Sequence, residues 1–485
     1  MTAQQPQRTL LVLGGGPAGL TAAYQVQKLA DDIHPHVIEA DAIMGGIART
    51  ESHKGYRFDI GGHRFFTKVP EVEALWREIM GDDFITVPRK SRIYYRKKFF
   101  DYPLKIGNAL GNMGVREAAH IMASYAKWKI RPHKQEENLE EWVMNRFGGR
   151  LYMHFFRSYT EKVWGIACTE INADWAEQRI KNLSLYGAIR KALTGSNDTA
   201  SLIEEFQYPR LGPGMMWEKV ADTVEARGGA VSRRTRVTAI RREGSRIVGI
   251  DAEGPEGRAR HAPDEVISTL ALSDLIGMID PPPPPEVVKA AGLLRYRDFL
   301  IVTLILDDAD PFPDNWIYVH EPDVDVGRIQ NFRAWSAEMV PDPGTSSIGM
   351  EYFSNVGSEL WEMSDAALIE KAAAELEALG LSTRARVLDG AIIRQPKAYP
   401  VYDENYRAAV ATISGWLRTL ENFQTVGRNG LHRYNNQDHS MLTAMLAADN
   451  LAGGRHDVWT VNVERSYHET FTATEARRNR MRGAA

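Results

Sequence analysis

The sequence predicts an α/β fold in which a parallel-sheet domain carries an inserted helical module and a second domain built on an antiparallel sheet. Three observations predict it. An apolar run near the N-terminus leads through a glycine-rich turn into a helical stretch, residues 103–195 are mainly helical in pattern, and strand-like segments recur after a run of five prolines.

Residues 9–13 read as a buried strand, Gly14-Gly15-Gly16-Pro17-Ala18-Gly19 as a tight turn, and residues 20–30 as a helix. Residues 36–40 read as a second strand whose apolar run ends at Glu39, about 20 residues beyond the last glycine. This is a βαβ unit of the Rossmann type. In it Gly14 permits the turn, Gly16 lets backbone approach a pyrophosphate, and Gly19 allows close helix packing, while Glu39, followed by Ala40, stands where a ribose-binding carboxylate belongs. Glycine triplets also occur in ordinary turns, so the flanking strands and the acid carry the inference.

Within the helical region, residues 139–164 form a long helical pattern interrupted at Gly148-Gly149. Alternating segments return at residues 230–250, which include Val237, and end in the polar, glycine-rich stretch 254–262, read as a hairpin and loop. Pro281 to Pro285 are read as a stiff extended connection, neither helix nor central strand. Residues 299–306, 346–353 and 391–394 are candidate strands of the antiparallel sheet. The expected organisation is a discontinuous nucleotide-binding domain (1–102, 210–280 and 405–475), a helical insertion (103–209), a substrate domain (286–404) and a solvated tail (476–485).

With 485 residues, 44% of them hydrophobic and 25% charged, the chain has the composition of a globular protein with two or three cores. Its 63 acidic residues slightly exceed 59 Lys plus Arg, for a net charge of −4, so nucleic acid is not an expected partner and any anion site must be a local cluster. Cys168 is the single cysteine, which excludes an intramolecular disulfide, a multi-thiolate metal site and a dithiol redox pair; no metal is expected. Residues 1–9 lack the features of a secretory signal, and the longest apolar runs are far short of the roughly 20 residues that span a bilayer, so a cytoplasmic protein without an integral membrane segment is expected.

The glycine turn alone does not distinguish FAD from NAD. Two further segments do: Met44-Gly45-Gly46-Ile47-Ala48-Arg49-Thr50, and Phe58-Asp59-Ile60-Gly61-Gly62-His63. Both resemble the flavin-embracing loops of the amine oxidase and protoporphyrinogen oxidase superfamily, whose FAD domain is glutathione reductase-like. Gly45, Gly46, Arg49, Gly61, Gly62 and His63 are accordingly expected at the cofactor, and Val237 with them. Towards the C-terminus, Thr425-Val426-Gly427-Arg428 precedes a good helix former at residues 441–448, which Asp438 or Ser440 can cap. That helix either points its N-terminus at the flavin pyrimidine or simply packs on the sheet.

Three segments together resemble the UDP-galactopyranose mutase family, flavoenzymes of this superfamily. Residues 155–165, Phe-Phe-Arg-Ser-Tyr-Thr-Glu-Lys-Val-Trp-Gly, are similar to the family's F-F-x-G-Y-T-x-K-Q-W-G helix; Tyr399-Pro400-Val401 is like its Y-P-I; and residues 426–438, from Val426-Gly427-Arg428 through Tyr434, Asn435, Asn436 and Gln437 to Asp438, match the spacing of its V-G-R-L-G-x-Y-R-Y-x-x-M-D. Arg179 and Arg328 fall where the family places its diphosphate arginines. The chain departs from the pattern at Gly61-Gly62-His63-Arg64-Phe65-Phe66-Thr67 and at Asn435-Asn436, so the sugar and base are open.

The resemblance implies noncovalent FAD, active when reduced, and a ring-contracting isomerisation of a nucleotide-diphosphate sugar in which flavin N5 forms an adduct at the anomeric carbon. It implies His63 near the flavin; Arg179, Arg328, Tyr399 and Tyr434 on the diphosphate; Phe156, Tyr159 and Trp164 on base or sugar; and Gly427, Arg428, Asn436, Gln437 and Asp438 on the cofactor. From spacing alone an aromatic stripe of this kind is more often core, and a lone arginine more often a surface ion pair. The alternatives are an FAD-dependent oxidase or desaturase of the protoporphyrinogen oxidase or amine oxidase type, and a non-catalytic flavin-binding module. With no second G-x-G-x-x-G, electrons would come from an external donor such as NAD(P)H.

Overall fold

The computed structural model describes residues 7–102, 106–173, 201–202, 205–462 and 470–471. Arg179 lies outside the described residues.

The first strand, Arg8–Leu13, turns through Gly14 to Gly16 into the helix Pro17–Leu29 and returns as the strand Ile33–Ile38. Among the described residues these strands belong to a five-stranded parallel sheet in the order Ala230–Ser232, Ile33–Ile38, Arg8–Leu13, Glu265–Ser268, Phe423–Thr425. The sheet thus joins three distant stretches of chain. Leu10 and Val12 pack on one face against helices Pro17–Leu29, Gly214–Ala226 and Gln437–Leu451, and Leu11 and Leu13 pack on the other against Ile240, Ile250, Leu275 and Ile413. Apolar residues on both faces explain why the first strand reads as a continuous run.

The second large sheet has seven strands in the order Val387–Pro400, Tyr296–Leu306, Ser346–Ser354, Arg328–Asn331, Trp316–Val319, Ser91–Tyr95, Lys98–Asp101. Its three expected strands are present and longer than read, with Tyr296–Leu306 in the middle and antiparallel to the other two. Residues 91–101, grouped by sequence with the nucleotide-binding domain, join this sheet instead, the strand Ser91–Tyr95 running parallel to Trp316–Val319.

Two local readings are corrected. Residues 257–261 form a third strand, pairing antiparallel with Arg246–Gly254, because backbone pairing satisfies a polar segment as well as an apolar one. Pro285 opens the helix Pro285–Leu293: proline has no N–H to lose at the first helical position, and its fixed φ suits the helix, so the proline run ends as a helix start.

The helical region holds Val115–Ile130, Leu139–Phe147 and Gly149–Tyr152, then a π-helical turn Met153–Arg157 leading into Ser158–Trp164. The break comes at Gly148, whose φ of 81° ends the preceding helix. Added wide turns of this kind change which residues share a helix face and are frequent at functional sites. No helix among the described residues is long and apolar enough to cross a membrane.

Candidate functional site

The nucleotide end is built from backbone. A Cβ on Gly19 would lie 1.9 Å from the Gly14 carbonyl oxygen, and one on Gly14, at φ 107°, would lie 2.2 Å from Thr269 Oγ1. Helix Pro17–Leu29 has no side-chain cap and no acidic residue in its first turn, so its leading amides and positive end face the glycine turn unopposed. Glu39 caps the turn from the next strand end: its carboxylate accepts from Gly15 N (2.6 Å) and Asp41 N (2.8 Å), and burial raises its pKa despite those bonds. An uncapped helix start beside a carboxylate with oxygen lone pairs to spare is the donor and acceptor set that a pyrophosphate and ribose require, so these residues fit FAD.

The Gly45-Gly46 pair lies on this turn, with Gly45 N donating to Gly15 O (2.8 Å) and Gly46 close enough that its added Cβ would lie 3.3 Å from Gly16 Cα. Gly427, at φ 90°, comes in from the C-terminal segment, its added Cβ lying 3.0 Å from Ala18 Cβ. Arg49 is buried and occupied, its guanidinium donating to Glu51 (2.6 Å), Gly46 O (3.0 Å) and Gln395 (2.8 Å). Val237 is buried in the core cluster below the sheet with Leu13 and Ile38, on the strand that follows Thr235, whose N–H donates to Glu39 O.

The expected caps of the last helix are corrected. Helix Gln437–Leu451 starts four residues earlier than read, and its cap is Asn436, in a reciprocal box with His439. Asp438 instead accepts from Thr67 Oγ1 (3.0 Å), and Gln437 accepts from Trp217 Nε1 (3.2 Å). The helix packs on Pro17–Leu29 through Ala444, Ala447 and Ala448.

Beyond the Gly61-Gly62 loop, side chains from six separated segments converge. His63 Nε2–H donates to Ile60 O (2.8 Å); burial first, then the charges of Arg428 and Arg328, push its pKa down to about 4, so it is neutral at pH 7. Arg328 Nη2 donates to the Tyr399 hydroxyl (2.9 Å), and its Nε lies 2.5 Å from Oε2 of Glu351, a carboxylate with 0% exposure. Burial opposes the charge on Arg328, but Glu351 holds it protonated. Tyr399 and Tyr434 stack at 5.5 Å, Trp164 meets both edge-on or tilted, and the Arg428 guanidinium sits 5.0 Å from the Tyr434 ring and 5.5 Å from that of Tyr399. Arg428 is held in place by the carbonyls of Asn435 and Ala398.

Tyr159 joins this group, and burial raises its pKa while Arg328 opposes the rise. One face of its ring is covered by His320, stacked at 4.5 Å and 8°, so a ligand can use only the other face. Phe156 stands apart, packed on Phe147 at 5.2 Å, while its neighbour Phe155 contacts His320 and Tyr95. The π-turn at Met153–Arg157 shifts the helix phase, which a regular spacing of i, i+4, i+8 does not anticipate.

Sequence reasoning missed Glu351, Gln330 and Lys162. Gln330 donates to Glu351 Oε1 (2.7 Å) and lies beneath Gly62, whose added Cβ would lie 3.1 Å from its Nε2. Lys162 Nζ sits among the carbonyls of Glu321 (2.8 Å), Val324 (2.7 Å) and Val326 (3.1 Å), tying the helix of Tyr159 and Trp164 to the loop that delivers Arg328; burial lowers its pKa to about 8. Lys162 was visible within the 155–165 string. Glu351 gave no signal, since a glutamate in an apolar strand is informative only once its buried partner is known.

Among solved structures, the chain is similar to a UDP-galactopyranose mutase, at 20% identity with a TM-score of 0.79, covering 98% of this chain and 99% of that one. It is also similar to a protein assigned as a protoporphyrinogen oxidase from Exiguobacterium sp. 255-15, at 16% identity with a TM-score of 0.68, covering 92% and 98%. A coproporphyrinogen III oxidase of Mycobacterium bovis is 38% identical over 158 residues, which are 30% of this chain and 34% of the relative, so the chain matches about a third of that relative's length. These likenesses agree with an FAD-binding α/β fold with a second sheet domain. The sequence profile of the flavin containing amine oxidoreductases matches residues 17–432, most of the chain, and the protein is therefore a member of that family and a flavoprotein that binds FAD.

Proposed function

We propose that the protein is a flavin-dependent mutase of a nucleotide-diphosphate sugar, an isomerase that contracts or expands the sugar ring with no net oxidation. The observation that carries this reading is the convergence of Arg328, Arg428, Tyr399 and Tyr434 beside His63. Two guanidinium groups and two hydroxyls within one aromatic wall suit a diphosphate, which needs fixed charge and donors at once.

In this reading Arg328 and the two tyrosine hydroxyls hold the diphosphate as it leaves and returns, and Glu351 fixes the plane of the Arg328 guanidinium. Trp164 and Tyr159 take the flat or ring portions of the substrate. Neutral His63, held by Ile60 O, adds no charge beside the two arginines. Reduced FAD, when bound, supplies the electron pair for displacement at the anomeric carbon.

A second reading, an FAD-dependent oxidase, has its own observation. Glu351 neutralises Arg328, so the cluster carries the net charge of Arg428 alone within a wall of Trp164, Tyr399, Tyr434 and Phe353, which also suits a planar oxidisable substrate. The names of the oxidase relatives point the same way. Equilibrium binding of UDP, GDP and their hexose conjugates to the FAD-loaded protein separates the two. The mutase reading expects saturable binding lost on adding excess free nucleotide diphosphate; absence of any such binding removes it.

A further inference from the structure

Helix Val115–Ile130 in the helical module has two apolar faces. The inner face, Ile121 and Tyr125, is buried in the cluster that also contains Phe155, Trp164 and Tyr399. The outer face carries Val115, Ala119, Met122, Ala123, Ala126 and Ile130, all exposed, within an arc of about 100°. Val115 is 88% exposed and Ile130 78%, values that single alanine-rich helix faces do not require for folding.

Cations border this stripe: Arg116, Lys127 and Arg131 on one flank and Lys129 on the other, all exposed. Glu117, the single carboxylate of the helix, is turned inward, where Arg150 (2.5 Å) and His154 (2.8 Å) bind it, and the Arg150 bond first holds its pKa at about 2. The outer face of the helix is therefore apolar at its centre, with cations and His120 but no carboxylate at its edges, in a chain whose net charge is −4. A second copy laid antiparallel on this face would oppose cation to cation. An anionic lipid surface complements both parts, since headgroups pair with the rim while the stripe enters the acyl boundary.

We propose that this helix lies on an anionic membrane surface and makes the enzyme a peripheral membrane protein, docked through the module that also carries Tyr159 and Trp164. The apolar stripe alone is short, and the basic rim supplies the second attraction that stable yet reversible anchoring needs.

The test is co-sedimentation of the full-length, FAD-loaded protein with vesicles of phosphatidylcholine alone or mixed with phosphatidylglycerol. Partitioning into the mixed vesicles is expected, weakened by added salt. Reversing Arg116→Glu, Lys127→Glu and Arg131→Glu together should lower it at least about tenfold, and Val115→Ser with Met122→Ser and Ile130→Ser by a comparable factor. Flavin absorbance retained in both variants shows that they fold. Equal binding to neutral vesicles, variants that bind as the wild type does, or a dimer in solution that the serine variant dissociates would each overturn the proposal.

Discussion

The two ends of the site are built in opposite ways. At the nucleotide end the contacts lie in backbone: missing side chains let Gly19 close on Gly14, Gly46 on Gly16 and Gly427 on Ala18, and the turn at their centre, residues 14–19, is contiguous in sequence. At the proposed substrate end they lie in side chains drawn from residues 63, 159–164, 328, 351, 399 and 428–434, which are far apart in sequence. Backbone sites tolerate no added atom, whereas side-chain sites tolerate substitution but lose a specific contact. The difference predicts how each should fail.

The sharpest break is expected at the backbone end. Gly19→Val places side-chain carbon against a carbonyl oxygen 1.9 Å away, and neither group can yield without moving strand or helix. Soluble protein without flavin, or no soluble protein, is expected on purification; a normally yellow protein would show that the turn has slack.

Next in size is Glu351→Gln, which leaves Arg328 buried without its counter-charge and should cost about 3–5 kcal/mol of stability in denaturant titration. Combining it with Arg328→Met removes both charges. That double variant should regain most of the stability and keep its FAD, yet lose nucleotide-diphosphate affinity by about 2–5 kcal/mol. Retained affinity would move the diphosphate away from Arg328.

This contrast also explains what could be read in advance. The strand, turn, helix and acid of the FAD end are contiguous, so spacing alone places Gly14, Gly16, Gly19 and Glu39. Trp164, Tyr399 and Tyr434 were nameable through resemblance, but they meet across a helix end, a strand and a loop far apart in sequence, which no local pattern encodes. The cap at Asn436 went to a neighbouring residue of equal propensity, and the proline run hid a helix start because the same residue serves both. Residues 91–101 were misplaced since a hairpin does not declare which sheet its edge will join.

A smaller effect is expected from pH. Burial, reinforced by Lys162, lowers the His320 pKa to about 3 from an ordinary 6.5, so the folded state keeps it neutral where the unfolded chain protonates it. Its contribution to stability is full above pH 6.5 and is lost as pH falls towards 3. His320→Phe keeps a ring against Tyr159 and should flatten the loss of stability between pH 7 and pH 5; an unchanged slope would assign it to other groups, such as His63 and His432, whose pKa values are also lowered by burial.

The least perturbing test concerns attachment. Cys168 is fully buried, with its thiol pKa pushed up to about 12 by burial, and is a poor nucleophile towards a flavin. Acid precipitation should therefore release all of the yellow colour, and colour retained in the pellet would reveal a covalent bond.

The most direct measurement of the central proposal is anaerobic turnover of nucleotide-linked hexoses by protein reduced once with dithionite, with product followed by chromatography. The mutase account predicts many ring-isomerised products per enzyme with no further reductant consumed, and no activity from the oxidised protein. Turnover by the oxidised protein with one oxygen taken up per product would contradict it and make the protein an oxidase.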